Sequence, residues 1–259
     1  MYYTHTYMME RDLRIDFIEA THQYKIDGEL DPKLVSVTQF IHLFFEKFDA
    51  DTVIDKMASE RWSESKYFGM TKDEIKHQWE AISADASEAG TRLHSSIEEF
   101  YTRGEKMSDE HSTEFGYFLN FHEKFKLECH KAEWRIFDER VKIAGSIDMA
   151  FVDPNDRSNI LIYDWKRSKE IKFENRYQRG LEPISHIEDC NFWHYALQLN
   201  LYKRIIESNY KLKVNGMAIV VFHPANDDFV LIDIPDLQDE IDTLLDYRLK
   251  SLTRTSSPH

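Results

Sequence analysis

Hydrophobic positions in the second half of the chain follow the alternating or unbroken patterns that are typical of β-strands. Three such segments follow one another closely, so the pattern predicts an antiparallel meander. The run Ile160-Leu161-Ile162-Tyr163 is apolar throughout, as expected of a strand that is buried on both faces. Two further segments predict a buried strand and its hairpin partner. The predicted strands cover residues 133–137, 141–152, 160–166, 217–223 and 229–234.

Hydrophobic residues spaced three and four apart predict helices around these strands. Thr71, with Glu74 three residues later, forms a capping box inside the longest helical region. Ser36 or Thr38 is expected to cap the first helix, and a phosphate bound at this helix N-terminus is the alternative interpretation. The predicted helices cover residues 39–48, 50–104 with a second start at Thr71, 112–129, 189–208 and 236–249.

Short alternating runs near the N-terminus, at residues 15–18 and 24–26, predict a small antiparallel unit around the Asp27-Gly28 turn. We expect it to pack on the core as a flap. The polar segment 174–188 has no periodicity, and so long a loop is typically functional or mobile. The predicted regions are an N-terminal extension over 1–85, a catalytic core over 86–250 and a disordered tail over 251–259.

The amino-acid composition limits the classes of protein to which the chain can belong. With 259 residues, of which 42% are hydrophobic, the chain can bury a substantial core. No apolar run has the length of a membrane span and the N-terminus lacks a secretory pattern, so we expect a soluble, cytoplasmic or otherwise intracellular protein without a membrane partner. Two cysteines are too few for a disulfide framework, a four-cysteine zinc site or an iron–sulfur cluster.

The formal net charge of −14 counts against a nucleic-acid partner, because phosphate binding usually goes with basic charge. It does not exclude one. A local groove can stay positive in an acidic protein, and a cluster of metal-binding carboxylates contributes to the negative total.

Three charged residues stand in the apolar meander: Asp148, Asp164 and Lys166. Asp164 and Lys166 are two apart, so their side chains project from the same face of the strand. The turn at residues 153–156 folds the preceding strand back and brings Asp148 toward Asp164. Two buried carboxylates at close range repel each other unless a cation lies between them, so the pattern predicts a metal site. A structural salt bridge between Asp164 and Lys166 is the alternative.

Polar residues on the helices extend this candidate site. Gly90, His94 and Glu98 share one helix face, and so do Gln198 and Tyr202. Taken alone, His94 would more often be an ordinary core or surface histidine than a ligand. Glu133, on the first strand of the meander, either reaches the metal or lies at a solvated strand end. Cys190 and His194 also have ligand-like spacing, but no second pair completes a site.

Four motifs together resemble the PD-(D/E)XK nuclease superfamily, in particular its RecB-like branch. They are Gly90-Thr91-Arg92-Leu93-His94-Ser95-Ser96-Ile97-Glu98, Gly145-Ser146-Ile147-Asp148, Asp164-Trp165-Lys166 and Gln198-Leu199-Asn200-Leu201-Tyr202. The resemblance implies an α/β fold with a mixed sheet and a restriction-endonuclease-like core of order αβββαβ, after a mainly helical extension. The Ser36-Val37-Thr38 segment is more loosely similar to mitochondrial genome-maintenance and viral or phage exonucleases, which implies N-terminal helices that enclose single-stranded DNA.

Residue chemistry and the resemblance together assign roles. The carboxylates suit Mg²⁺ or Mn²⁺, and a histidine ligand favours Mn²⁺. The expected ligands for one or two ions are His94, Asp148, Asp164 and the backbone carbonyl of Trp165, with Glu98 and Glu133 as further ligands or neighbours. Lys166 would position or deprotonate the attacking water, with its pKa lowered by the metal. Gln198 and Tyr202 would orient Lys166 or the scissile phosphate.

The sequence therefore predicts a metal-dependent nuclease, most simply a single-stranded DNA exonuclease of replication, repair or recombination that works with other proteins of those processes. A viral or phage origin would place it inside the host cell. An endonuclease acting on duplex DNA or RNA, and a catalytically silent nucleic-acid-binding protein, are the alternatives. The residues expected to contact nucleic acid are Ser36, Thr38, Arg92, Arg167, Lys169, Arg176 and Arg179.

Overall fold

The computed structural model describes residues 9–59, 62–104 and 111–254. The helices are α1 (Val37–His42), α2 (Ala50–Ser59), α3 (Lys72–Thr102), α4 (Thr113–Phe125), α5 (Asn191–Asn209) and α6 (Gln238–Arg254). The strands are β1 (Ile15–Ile18), β2 (Gln23–Ile26), β3 (Glu29–Leu30), β4 (Val35–Ser36), β5 (Cys129–Asp138), β6 (Ile143–Val152), β7 (Asn159–Lys166), β8 (Lys213–Val221) and β9 (Val230–Asp233).

The main sheet is mixed, which confirms the predicted α/β class. Strands β5, β6 and β7 form the predicted antiparallel meander. The chain then crosses through α5 and returns in β8, parallel to β7, because a parallel neighbour requires a long crossover. Strand β9 completes the predicted hairpin with β8, and the two-residue β4 adds a parallel pair to the start of β6.

Helices cover both faces of this sheet. Helices α1, α5 and α6 pack on one face through a large apolar cluster that includes Phe40, Leu197 and Leu244. Helices α3 and α4 pack on the opposite face, where Phe118 and Trp165 lie at the centre of an aromatic cluster. We call these the α5 face and the α3 face. Because each layer removes an apolar surface from water, the sheet is fixed between them.

Strands β5 and β6 change faces at the same level of the sheet. Trp134 belongs to the core of the α5 face, whereas Ala132, two residues earlier, packs on the α3 face. In β6 the same change occurs between Ile147 and Met149. In a regular strand, residues that are two apart lie on the same face of the sheet. Each strand is therefore irregular at the residue between the two that lie on different faces. In β5 that residue is Glu133, whose φ of 45° lies in the left-handed region.

The N-terminal residues form three separate structures. Strands β1 to β3 make the predicted small antiparallel sheet, and Ile15 packs with Phe137 and Ala144 of the main sheet. Residues of β4 and α1 belong to the main sheet and its α5 face. A third cluster, around Ile54 and Ile75, joins α2 to the start of α3. The predicted boundary at 85/86 lies inside α3, because this helix continues without a break to Thr102.

Helix termini agree with the predicted caps more closely than with the predicted lengths. Ser36 caps α1 and Thr71 caps α3, each in a capping box. Helix α1 is shorter than predicted and ends at His42. Helix α4 ends at Phe125 rather than near 129, because Lys126 adopts a left-handed φ of 47°. Helix α6 extends to Arg254, so residues 251–254 are helical, and the rest of the predicted tail lies outside the described residues.

The segment 174–188 has no helix or strand, as predicted, and it is held in place by the core. Ile184 is fully buried, and the Leu181 amide donates to the Phe44 carbonyl at 2.7 Å. Asn175 accepts hydrogen bonds from the amides of Tyr177 and Gln178. Across the described part of the chain, no helix combines the length and apolarity needed to cross a membrane.

We expect His130 to contribute to acid destabilisation. Burial, together with the charge of Lys131, lowers the pKa of His130 from 6.5 to about 4. Below pH 6.5 the imidazole therefore binds a proton in the unfolded chain but not in the folded chain. The free energy of unfolding decreases as the pH falls from 6.5 toward 4, by up to about 3 kcal/mol. In urea titrations, His130→Gln should lose less stability than the wild type over this interval. Identical pH dependence in the two proteins would contradict the assignment.

Candidate metal centre

The site begins where β6 and β7 diverge. Their antiparallel register ends with Met149 opposite Tyr163, although both strands continue. Beyond this point Asp148 replaces the lost backbone pairing, because its Oδ2 accepts the Trp165 amide at 2.8 Å. The carboxylate therefore has a fixed position between the two strands, and the opening between them gives side chains from both helical layers access to it.

Helix α3 supplies His94 at this opening. Its Nε2 lies 2.9 Å from the carbonyl oxygen of Trp165, and its Nδ1 lies 3.6 Å from Asp148 Oδ2. His94 thus lies against both of the other predicted ligands, Asp148 and the Trp165 carbonyl. His94 lies beside the apolar stripe of α3, where Leu93 and Ile97 are almost fully buried. Rotating the helix to move the imidazole would disturb the packing of these side chains, which is energetically unfavourable.

Glu133 completes a three-residue group with His94 and Asp148, in which the potential ligand atoms all lie within 4.8 Å of one another. Its Oε2 accepts a hydrogen bond from Ser146 Oγ at 3.2 Å. The left-handed φ of Glu133 is strained for a residue with a side chain, and the strain coincides with the turn of its carboxylate into the site. Of the two positions considered from the sequence, Glu133 lies beside His94 and Asp148 rather than at a solvated strand end, and its role as a metal ligand stays a prediction.

Asp164 and Lys166 face the α5 layer, side by side as predicted from their spacing. The Lys166 ammonium forms an ion pair with Asp164 Oδ2. Asp164 Oδ1 accepts a hydrogen bond from Gln198 Nε2 at 3.1 Å, and the same amide nitrogen donates to the Tyr202 hydroxyl at 3.2 Å. Asp164 therefore lies outside the three-residue group, because its carboxylate is turned toward Lys166 and α5.

Tyr195 is a site residue that the sequence analysis missed. The Lys166 Nζ lies 4.7 Å from the centre of its ring, within the range of a cation–π contact. The available signal was spacing, since Tyr195 precedes Gln198 by three residues and Tyr202 by seven and so shares their helix face. The stripe of polar residues on α5 is thus one turn longer than predicted.

The charges at the site favour the binding of positive charge. Burial and the nearby carboxylates of Asp148 and Glu98 raise the pKa of Glu133 to about 8. Burial and Asp148 also raise the pKa of Asp164 to about 6, although Lys166 opposes this. Burial lowers the pKa of Lys166, but the two aspartates outweigh it and the net shift is upward. Asp164 and its basic partner Lys166 both bind their protons more tightly than usual, because carboxylates outnumber positively charged groups at the site.

The lowered pKa expected for Lys166 therefore does not arise from the charges of the protein itself. Asp164 and Asp148 stabilise the ammonium form of this lysine. The expectation was tied to a metal ion next to Lys166, and it stays a prediction for the metal-bound protein.

The residues expected to contact nucleic acid lie on several elements. Ser36 is occupied by the cap of α1, where it bonds to Gln39, and Thr38 is exposed. Within the described ranges, Lys169 forms no ion pair, but the four arginines each contact a carboxylate. These pairs are Arg92 with Glu88, Arg167 with Glu114, Arg176 with Glu174 and Arg179 with Glu188.

The Cys190 and His194 pair has structural roles. Cys190 is buried at the start of α5, and its carbonyl accepts the His194 amide. The His194 Nε2 lies 2.8 Å from Asp189 Oδ1. Both residues are therefore engaged in the local fold of the helix N-terminus.

A cavity of about 490 Å³ opens beside the three-residue group. His94, Glu98 and Glu133 line it, together with Phe17 and Tyr24 of the β1–β3 sheet. The small sheet, predicted as a flap, thus contributes to the wall of the cavity beside the three-residue group. We call this space the acidic cavity.

No protein-family model matches the chain, and no curated protein sequence matches it. Among solved structures, the crystal structure of SSO0001 aligns with a TM-score of 0.40 and 14% identity, over 87% of this chain and 79% of that one. A similarity of this size carries no information about chemistry, so the function of this chain is inferred from the residues of its own site.

Gly145 provides a test of how tightly α5 is fitted to the site. A Cβ atom at Gly145 would lie 2.6 Å from Tyr202 Cε1 and 3.0 Å from Val37 Cγ2, and both side chains are buried. We expect Gly145→Ala to destabilise the protein by about 1–3 kcal/mol through overpacking, as measured by urea unfolding. The control is Gly116→Ala, where the added Cβ meets no atom within 4 Å. Equal stability of the two variants would contradict this close fit.

Proposed function

We propose that the protein is a divalent-metal-dependent nuclease of the PD-(D/E)XK superfamily, RecB-like branch, that hydrolyses phosphodiester bonds in single-stranded DNA. One observation carries the proposal. His94 lies against both the Trp165 carbonyl and Asp148, and Asp148 accepts the Trp165 amide, at the point where β6 and β7 diverge, beside the Asp164–Lys166 pair. The order of a helix, three antiparallel strands, a crossover helix and a parallel strand also agrees with the core that the resemblance implies.

The donor set fits Mg²⁺ or Mn²⁺. It consists of carboxylate oxygens, one backbone carbonyl and one imidazole nitrogen, with no thiolate. Asp164 Oδ2 is buried and accepts no hydrogen bond of normal geometry, although Lys166 lies against it. The raised pKa values of Glu133 and Asp164 indicate the same shortage of positive charge. His94, Asp148, Asp164 and the Trp165 carbonyl would hold the ion, with Glu133 next to them.

The residues of the chain would then have different roles in hydrolysis. A bound divalent cation supplies neutralisation of the charge that develops on the phosphate oxygens. Lys166, held beside Asp164, would position the attacking water or donate a hydrogen bond from Nζ to a phosphate oxygen. Gln198 fixes the Asp164 carboxylate, and Tyr202 fixes Gln198 in turn. Tyr195 limits where the Lys166 ammonium can move.

Cleavage of single-stranded DNA tests the proposed function. The purified chain should degrade a labelled strand with Mg²⁺ or Mn²⁺, and EDTA should stop the reaction. Asp164→Asn and Lys166→Ala should each lower the rate about 10²- to 10⁴-fold, because each removes a group that acts on the reacting atoms. Asp233→Asn, an exposed carboxylate on β9, is the matched control and should keep wild-type activity. Full activity of both site variants, with their folds intact by circular dichroism, would overturn the mechanism.

The form of the substrate separates exonuclease from endonuclease action. An exonuclease needs a strand end, so a linear single strand should be shortened progressively while a circular one of the same sequence survives. Gel analysis of both substrates over time measures this directly. Cutting of the circle at a comparable rate would favour an endonuclease on the same core.

A further inference from the structure

A second cavity, of about 760 Å³, shares none of its lining residues with the acidic cavity. Its walls come from the end of α1, from α2, from the 174–188 segment and from the start of α5. We call it the aromatic cavity, since Phe45 and Phe48 lie in its wall together with His42 and His194. None of these residues takes part in the metal centre described above.

The aromatic cavity adjoins the reacting groups through α5. His194 lines the cavity, and the next residue, Tyr195, contacts the Lys166 ammonium. Consecutive Cα atoms are about 3.8 Å apart, so the backbone of α5 joins the wall of the cavity directly to a residue that contacts Lys166. A ligand in the cavity would therefore bind at the same turn of the helix that carries Tyr195.

The wall of the aromatic cavity is held by its own contacts. The ring centres of Phe45 and His194 are 4.0 Å apart, and Asp189 fixes the imidazole through a 2.8 Å hydrogen bond. The 174–188 segment is joined to α1 by the hydrogen bond from Leu181 to Phe44. This preformed surface spares a ligand the entropic cost of ordering these side chains.

The free groups of the cavity suit a nucleotide. Phe48 is 73% exposed, which leaves a ring available for stacking. Lys47 is exposed, and within the described ranges it forms no ion pair, so its ammonium is available to a phosphate. The acids in the wall, Glu46, Asp49 and Asp189, outnumber its lysines, Lys47 and Lys56, so stacking should contribute more to binding than charge.

We infer that the aromatic cavity binds an unpaired nucleobase of the substrate strand, with Phe48 stacking on the base and Lys47 contacting its phosphate. Bases in a duplex stack on one another, so a base that enters a side cavity belongs to a single strand. The inference rests on the proposed function and adds to it a position on the strand, at the start of the helix that carries Tyr195 and Gln198 to the Asp164–Lys166 pair. It also explains why a large aromatic ring stays exposed to water.

Binding without cleavage tests this assignment. Fluorescence anisotropy with a labelled oligothymidylate of about 12 nucleotides, measured in EDTA, reports affinity in the absence of hydrolysis. Phe48→Ala should weaken binding about tenfold, the usual effect of losing one stacked base. Lys47→Gln should reduce the slope of log affinity against log salt concentration by about 0.7, the value for one lost phosphate contact on a single strand. Neither residue is buried, so both variants should fold.

Phe68→Ala is the matched control, because Phe68 is also exposed, at 62%, but lines neither cavity. Its affinity should equal that of the wild type. Unchanged affinity of Phe48→Ala, or an equal loss in Phe68→Ala, would overturn the assignment. A duplex of the same length that competes as well as the single strand would overturn it too.

The two proposals fail in different ways. If the wild type cleaves DNA but Phe48→Ala binds as tightly as the wild type, the nucleobase site is wrong and the nuclease stands. If binding depends on Phe48 but no divalent ion supports cleavage, the nuclease is wrong and the nucleobase site stands.

Discussion

The change of face at Glu133 and Asp148 is the constraint on which the rest of the site depends. Because β5 and β6 rotate together at this level, β6 parts from β7 and a carboxylate, rather than a carbonyl, accepts the Trp165 amide. A regular pair of strands would have closed the opening with backbone hydrogen bonds. Through this irregularity a polar site lies between two helical layers that are otherwise apolar.

The cost of the arrangement is electrostatic as well as conformational. Several carboxylates share a poorly hydrated space with one lysine, and the resolved pKa shifts of Glu133, Asp164 and Lys166 are all upward. Such an arrangement is unfavourable by itself, because burial penalises each charged form and like charges repel. A divalent cation offsets both effects, which is why the site makes better physical sense as a metal centre than as a structural salt bridge.

Helix α5 joins the different parts of the proposed function. Its apolar side, with Leu197 and Leu201 fully buried, anchors it to the sheet. An adjacent stripe carries Tyr195 and Gln198 toward the Asp164–Lys166 pair, while His194 lines the aromatic cavity. One rigid helix would therefore set both the geometry of the Asp164–Lys166 pair and the position of a nucleotide bound in the aromatic cavity, which favours precise positioning.

Local patterns in the sequence were sufficient for the elements and for part of the site. The meander, the caps at Ser36 and Thr71 and the shared face of Asp164 and Lys166 follow from periodicities of two and 3.6 residues and from short-range hydrogen bonds. These interactions involve neighbours in the chain, so they can be predicted before the chain is folded. The same periodicity, applied to α5, would also have found Tyr195.

Tertiary structure decided what depends on distant partners. The orientation of Glu133 depends on a left-handed backbone angle that no periodicity reveals. The ion pair of Arg167 depends on Glu114, which lies on another element, so its charge is balanced in a way that counting residues could not show. The aromatic cavity arises only where the end of α1 meets the 174–188 segment. Sequence alone determined which groups were available for chemistry, because local patterns specify the strands and helices that carry them. Packing between distant segments decided which of those groups meet.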